Sequence, residues 1–136
     1  MNIFPTFDSF LDLSPNEIIR QTGRQHTGLL DYFRGDLLAL SLRSHIDRYR
    51  QFIELVYDGY NLDILSYIND LSRREHLFHI RAIIPDGYTQ QYDEVVSKLD
   101  RLFMATTYSI ERHPPFNEEP YASQFWLDRM PLSWKT

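Results

Sequence analysis

Cysteine is absent from the 136 residues. Its absence excludes a disulfide scaffold, a thiolate nucleophile and Cys-ligated zinc, so a packed core must supply the stability. Long apolar runs are missing too. The longest uninterrupted aliphatic stretch is residues 37–40, against the roughly 20 residues of a membrane-spanning helix. Positive charge is scarce, with 14 Lys and Arg against 19 Asp and Glu and a net charge of −5. That balance argues against nucleic acid or an anionic membrane as the main partner and suits a cationic one. The first basic residue is Arg20, and the opening MNIFPTFDSFLDL lacks the basic start and apolar stretch of a secretory signal. A cytoplasmic location is the expectation. No Gly-rich phosphate loop, HExxH motif or Ser-His-Asp order occurs, so the motifs give no reason to expect an enzyme.

What is present is an ordinary globular composition, 43% hydrophobic and 24% charged, in a length that suits one domain of roughly 100 to 200 residues with short extensions. Phe4, Phe7, Phe10 and Leu13 recur every third residue in an arm expected to dock on the main body. Ser14, Pro15 and Glu17 form a helix start, with a Ser cap, Pro at the first position and Glu three residues on. The helix should reach Thr22. Residues 36–45 carry apolar side chains on both faces, which predicts a buried strand. After a Ser44 cap, Ile46, Tyr49, Phe52 or Ile53 and Val56 recur at helical spacing, and Gly59 can close that helix. Asn61 is a second cap candidate, followed by an apolar stripe of Leu62, Leu65, Ile68 and Leu71.

In residues 77–84, Phe78, Ile80, Ala82 and Ile84 alternate with His79 and Arg81, which predicts a second strand. After a turn at Pro85, Asp86 and Gly87, the spacing of Tyr92, Val95, Val96, Leu99, Leu102, Phe103 and Thr106 predicts a long helix. A short third strand is expected over 108–111, then a tail with a helix start at Pro120. Helical crossovers between three strands imply an α/β domain with a small three-stranded parallel sheet packed by helices. The boundaries are 36–112 for that domain, with extensions over 1–35 and 113–136.

At Tyr57-Asp58-Gly59-Tyr60-Asn61-Leu62-Asp63 the chain resembles the barstar family of ribonuclease inhibitors, which shows Tyr, Gly and then Asn-Leu-Asp or Asn-Trp-Asp there. The likeness extends over about 36–112. It implies a barstar-like fold and an inhibitor or immunity protein whose acidic helix and preceding loop plug a basic ribonuclease or similar toxin. Tyr57, Gly59, Asn61, Leu62 and Asp63 match the family pattern. The family's second aspartate, four residues after the first, falls on Tyr67.

Charge patterning supplies separate support. Between Arg50 and Arg73 stand Glu54, Asp58, Asp63 and Asp70 with no Lys or Arg. Asp63, Tyr67 and Asp70 fall on one helical face, read as an acidic, aromatic interface beside the apolar stripe. The candidate partner-binding set is therefore Tyr57, Asp58, Gly59, Asn61, Asp63, Tyr67 and Asp70. Three of them have a plainer reading: Asp63 as a helix-start charge, and Gly59 and Asn61 as turn and cap.

His76 and His79 would point to opposite faces of a strand, so neither a metal nor a cofactor is expected. Arg43, Arg48, Arg50, Arg73 and Arg74 interleave with acids and read as solvated helix ends rather than RNA contacts. Glu118 and Glu119 read as capping residues before Pro120, not as an acid–base pair. Phe116, Tyr121, Phe125, Trp126 and Trp134 read as a flap over the core. Two rivals to the inhibitor stand: a regulatory interaction module of the same fold, and an all-α bundle adaptor in which 77–84 continues the preceding helix.

Overall fold

A computed structural model describes residues 6–23, 33, 35–112, 117–119 and 124–134. Serine and threonine caps start the early helices. Thr6 accepts from the Ser9 amide to open α1 (Phe7–Phe10), and Ser14 accepts from the Glu17 amide at 3.2 Å to open α2 (Pro15–Thr22), which Gly23 closes in the left-handed region. A 3-10 turn, Gly35–Ala39, leads into α3 (Leu42–Tyr57). The Ser41 hydroxyl accepts from the Ser44 amide at 3.1 Å, so the cap lies three residues before the Ser44 expected from sequence.

The strand expected over 36–45 is thus a 3-10 turn and the first turn of α3. A short run with apolar side chains on both faces does not distinguish a strand from a buried helix end. Here the Ser41 cap decides for the helix. Its buried face is Leu42, His45, Ile46, Tyr49, Phe52, Ile53 and Val56.

The strand expected over 77–84 is also absent. Helix α4 (Ile64–Ile80) takes its first half, and a 3-10 turn, Arg81–Ile83, follows before Pro85. The residues that α4 buries at its C-terminal end are Leu71, His76, Leu77 and Ile80, while Phe78 is exposed. That is a helical period, hidden in the sequence because an arginine, Arg74, takes the core-facing place between Leu71 and Leu77.

Helix α5 (Asp86–Ala105) begins at Asp86, so Asp86 and Gly87 belong to its first turn rather than to a separate turn. It buries Tyr92, Val96, Leu99 and Phe103. Two three-residue strands follow, β1 (Thr107–Ser109) and β2 (Arg129–Pro131), paired antiparallel with Thr107 opposite Pro131. The expected three-stranded parallel sheet and barstar-like α/β class are therefore overturned: the described residues form a helix-dominated fold with one small antiparallel ribbon. Among them no helix is long and apolar enough to cross a membrane.

The described parts of both flanking stretches share one core with 36–112. Phe10 and Ile18 are fully buried in it, and Phe10 stacks on Tyr88 at 4.5 Å between ring centroids. Backbone amides of Leu42 and Arg43 donate to the carbonyls of Leu13 and Leu11, and the Arg43 guanidinium holds Asp8 and Asp12. From the other end, Trp126 of the 3-10 turn Phe125–Asp128 is buried. Phe4, Phe116, Pro120 and Tyr121 lie outside the described residues.

Arg74 corrects the reading of the arginines as solvated. Its guanidinium sits 4.3 Å from the Trp126 ring centroid and donates twice to the Asp100 carboxylate, at 2.7 and 3.0 Å. Asp100 also accepts from the Tyr49 hydroxyl at 2.8 Å. Removing the guanidinium would leave Asp100 poorly compensated in a nearly dry site. Arg74→Ala is expected to cost roughly 3–5 kcal/mol of stability in urea unfolding. A loss below about 1 kcal/mol, the range of surface pairs, would show the contact to be dispensable.

Candidate functional surface

The turn between α3 and α4 begins at Gly59, whose φ of 94° lies where side-chain-bearing residues are strained. Tyr60 then fastens the turn to the body. Its amide donates to the Ser133 carbonyl at 3.0 Å, its hydroxyl donates to Asp70 at 2.6 Å, and its ring meets those of Phe52, Tyr67 and Trp134. Burial and the neighbouring Asp70 carboxylate raise the Tyr60 pKa well above a free phenol's, which keeps it a neutral donor.

The seven candidate residues separate on this frame. Tyr57 is 75% exposed, Asp58, Asn61 and Asp63 are exposed, and Gly59 is buried. Tyr67 is 1% exposed and donates its hydroxyl to the Arg129 carbonyl at 2.8 Å. Asp70 is half-buried, held by Tyr60 and 3.7 Å from the Arg73 guanidinium. The outward Asp63, Tyr67 and Asp70 face is therefore corrected: its last two members point into the protein. Asn61 is not the cap of α4. Asp63 is, accepting from the Ser66 amide at 2.8 Å.

The apolar stripe fails for a geometric reason. Leu62 lies before the helix, and at about 100° per residue a side chain every third position steps back by about 60°, so Leu65, Ile68 and Leu71 drift across the helix surface instead of sharing one face. Leu71 is buried, whereas Leu62, Ile64, Leu65 and Ile68 face outward, with Leu65 73% exposed. Sequence reasoning missed this outward row. The signal was available, because Leu62, Ile64, Leu65, Tyr67, Ile68 and Leu71 are more apolar side chains than one helix face can bury.

Ile53, Glu54, Tyr57 and Asp58 of α3 and its cap meet Leu102, Ala105 and Thr106 at the end of α5 around a cavity of about 390 Å³. The Leu132 amide donates to the Thr106 carbonyl at 3.0 Å, which brings another exposed leucine alongside. Comparison with protein-family models, curated proteins and solved structures finds no match. The chemistry of this surface must therefore be read from its own residues: apolar side chains bordered by carboxylates.

The histidines lie elsewhere. His76 is buried edge-on to His45, 5.9 Å between centroids, with Phe33 against both rings, and His79 is half-buried beside Phe78. Among the described residues no three His, Asp or Glu side chains gather as a cation would need. The His45 Nε2 donates to the Leu37 carbonyl at 2.8 Å, while its Nδ1 has no partner among the described residues.

Burial lowers the pKa of both rings. His76 falls to about 4, with His45, Arg48, His79 and Arg73 adding to the effect, and His45 is lowered further by Arg48 against the Leu37 hydrogen bond. The unfolded chain then takes up protons first as pH falls below about 6.5, so stability declines from there toward pH 4. The expected loss is roughly 3 kcal/mol from His76 alone, read from urea unfolding at stepped pH. His76→Leu should flatten that slope.

For Asp63, the Ser66 amide and hydroxyl hold the carboxyl below its usual range. Its contribution is present above the unfolded value and disappears as pH falls through the folded one. Asp63→Ala should lower the melting temperature while Asp63→Asn, which still caps, largely restores it. Equal losses in the two variants would assign the effect to charge rather than to capping.

Proposed function

We propose that the chain is a protein-interaction module, not an enzyme, that docks a basic partner on the surface formed by the α3–α4 turn and the start of α4. The observation that carries this reading is the outward row: Tyr57, Leu62, Ile64, Leu65 and Ile68 are all large, apolar and exposed on a turn pinned by buried Tyr60. A row of that kind on a soluble domain marks a contact surface. Glu54, Asp58 and Asp63 border it, with no lysine or arginine between residues 50 and 73, which favours a cationic partner and speeds its approach.

A narrower reading makes the partner a basic ribonuclease or similar toxin that the contact inhibits. It is supported by the same acidic stretch and by the Tyr57 to Asp63 motif, and it does not depend on a parallel sheet. Under this reading Asp63 contributes as a capped, preoriented carboxylate and Tyr67 only by supporting the surface from beneath.

Affinity capture with the full chain and with Leu65→Arg tests the proposal. A protein retained by the first and lost with the second is expected, with association slowing steeply as salt shortens the Debye length below about 10 Å. Identical retention by both chains would overturn the proposal. On the narrower reading the retained protein is basic and cleaves RNA, and stoichiometric addition of the chain stops the cleavage.

A further inference from the structure

Resting on the interaction reading above, we infer that the cavity between the end of α3 and the end of α5 seats one apolar side chain that the partner presents next to a lysine or arginine. The apolar part follows from the walls: buried Ile53 lies among the lining residues with Leu102, Ala105 and the Tyr57 ring, in about 390 Å³. That volume lies at the small end of ligand clefts and admits one ring or branched chain rather than a whole helix face.

The cationic part follows from two separate features. Glu54 and Asp58 stand one helical turn apart on the cavity's edge, and neither is ion-paired among the described residues. They also sit at the C-terminal end of a 16-residue helix with no basic residue in its last turn. Acids there oppose the helix dipole and repel each other, so a cation placed beside them is favoured by both carboxylates and by the helix end.

The neighbouring helix end shows the contrast. At the end of α5, Arg129 donates to the carbonyls of Met104 and Thr107 and so supplies that terminus with its cation. Among the described residues, no such arginine hydrogen bond is made at the end of α3. No lysine or arginine lies among the cavity's lining residues. The frame is set before any partner arrives, by Gly59 and the fastened Tyr60 on one side and by the Leu132 to Thr106 hydrogen bond on the other. Little ordering entropy then opposes binding.

Two probes with the same ring and opposite charge test this: tryptamine and indole-3-propionate, each titrated into the ¹⁵N-labelled full chain and followed by amide shifts. Tryptamine should perturb residues 53–58 and 102–106, with indole-3-propionate about tenfold weaker. Glu54→Gln combined with Asp58→Asn should erase the difference, and Leu102→Arg, at an exposed position, should abolish tryptamine binding with the rest of the spectrum intact. Equal response to both probes, or tryptamine shifts elsewhere only, would overturn the inference.

Capture with Leu102→Arg adds the partner: loss of the protein retained by the unaltered chain supports the seat, and its retention overturns it. The broader interaction reading fails on a different result, unchanged capture by Leu65→Arg. Sedimentation showing an oligomer that Leu102→Arg dissociates would assign the cavity to a second copy and also overturn the inference.

Discussion

A single guanidinium joins the elements on which the fold depends. Arg74 projects from α4 into a slot walled by Trp126, Phe125 and Tyr49, and it grips Asp100 of α5 with two hydrogen bonds while Tyr49 of α3 donates to the same carboxylate. Three long helices and the 3-10 turn at Phe125–Asp128 therefore meet at one charge pair. Burying two ions is costly, and the cost is met only when both partners and their remaining hydrogen bonds are in place. Arginine suits the site better than lysine, because its planar fork matches a carboxylate and its flat face stacks on rings. The pair therefore fixes how α4 is rotated about its own axis: only with Arg74 inward do Tyr67, Leu71 and Leu77 face the core.

That rotation determines what is left outside. With Tyr67 and Leu71 turned in, Leu65 and Ile68 have no place in the interior, and the N-terminal end of α4 keeps an apolar outer face. Tyr60 and Tyr67 stabilise that end from beneath, through Asp70, the Ser133 carbonyl and the Arg129 carbonyl. The surface is thus apolar, bordered by acids and rigidly supported, the combination that reduces the entropy cost of docking. Most of the candidate partner-binding residues have structural duties in this arrangement. Gly59 makes the turn, Asp63 caps α4 from an exposed position, and Tyr67 and Asp70 hold the turn in place, so the members of the set that border open space are Tyr57, Asp58, Asn61 and Asp63.

Much of the local structure was legible in the sequence. Ser14, Pro15 and Glu17 announce α2, the Ile46, Tyr49 and Val56 spacing announces α3, Gly59 its end, and Tyr92 to Phe103 the body of α5, because caps and apolar periods are short-range physics. The absence of cysteine and the acidic stretch around Asp58 were equally plain. Two strands were misread where a short apolar run fits either period. In 36–45 both faces are apolar, and in 77–84 alternation competes with a helix whose core position is occupied by Arg74.

Composition and local spacing by themselves determined an ordinary globular content of core-forming residues, the sites of three long helices' main bodies or their halves, and an acidic turn between two of them. Only tertiary structure decided that α4 continues to Ile80, that Tyr67 points inward and Leu65 outward, and that Glu54 and Asp58 edge a cavity shared with Leu102. The reason is physical. Helix faces are chosen by what lies opposite them, and the partners that chose here, Asp100 for Arg74 and the Arg129 carbonyl for Tyr67, lie 26 and 62 residues away along the chain.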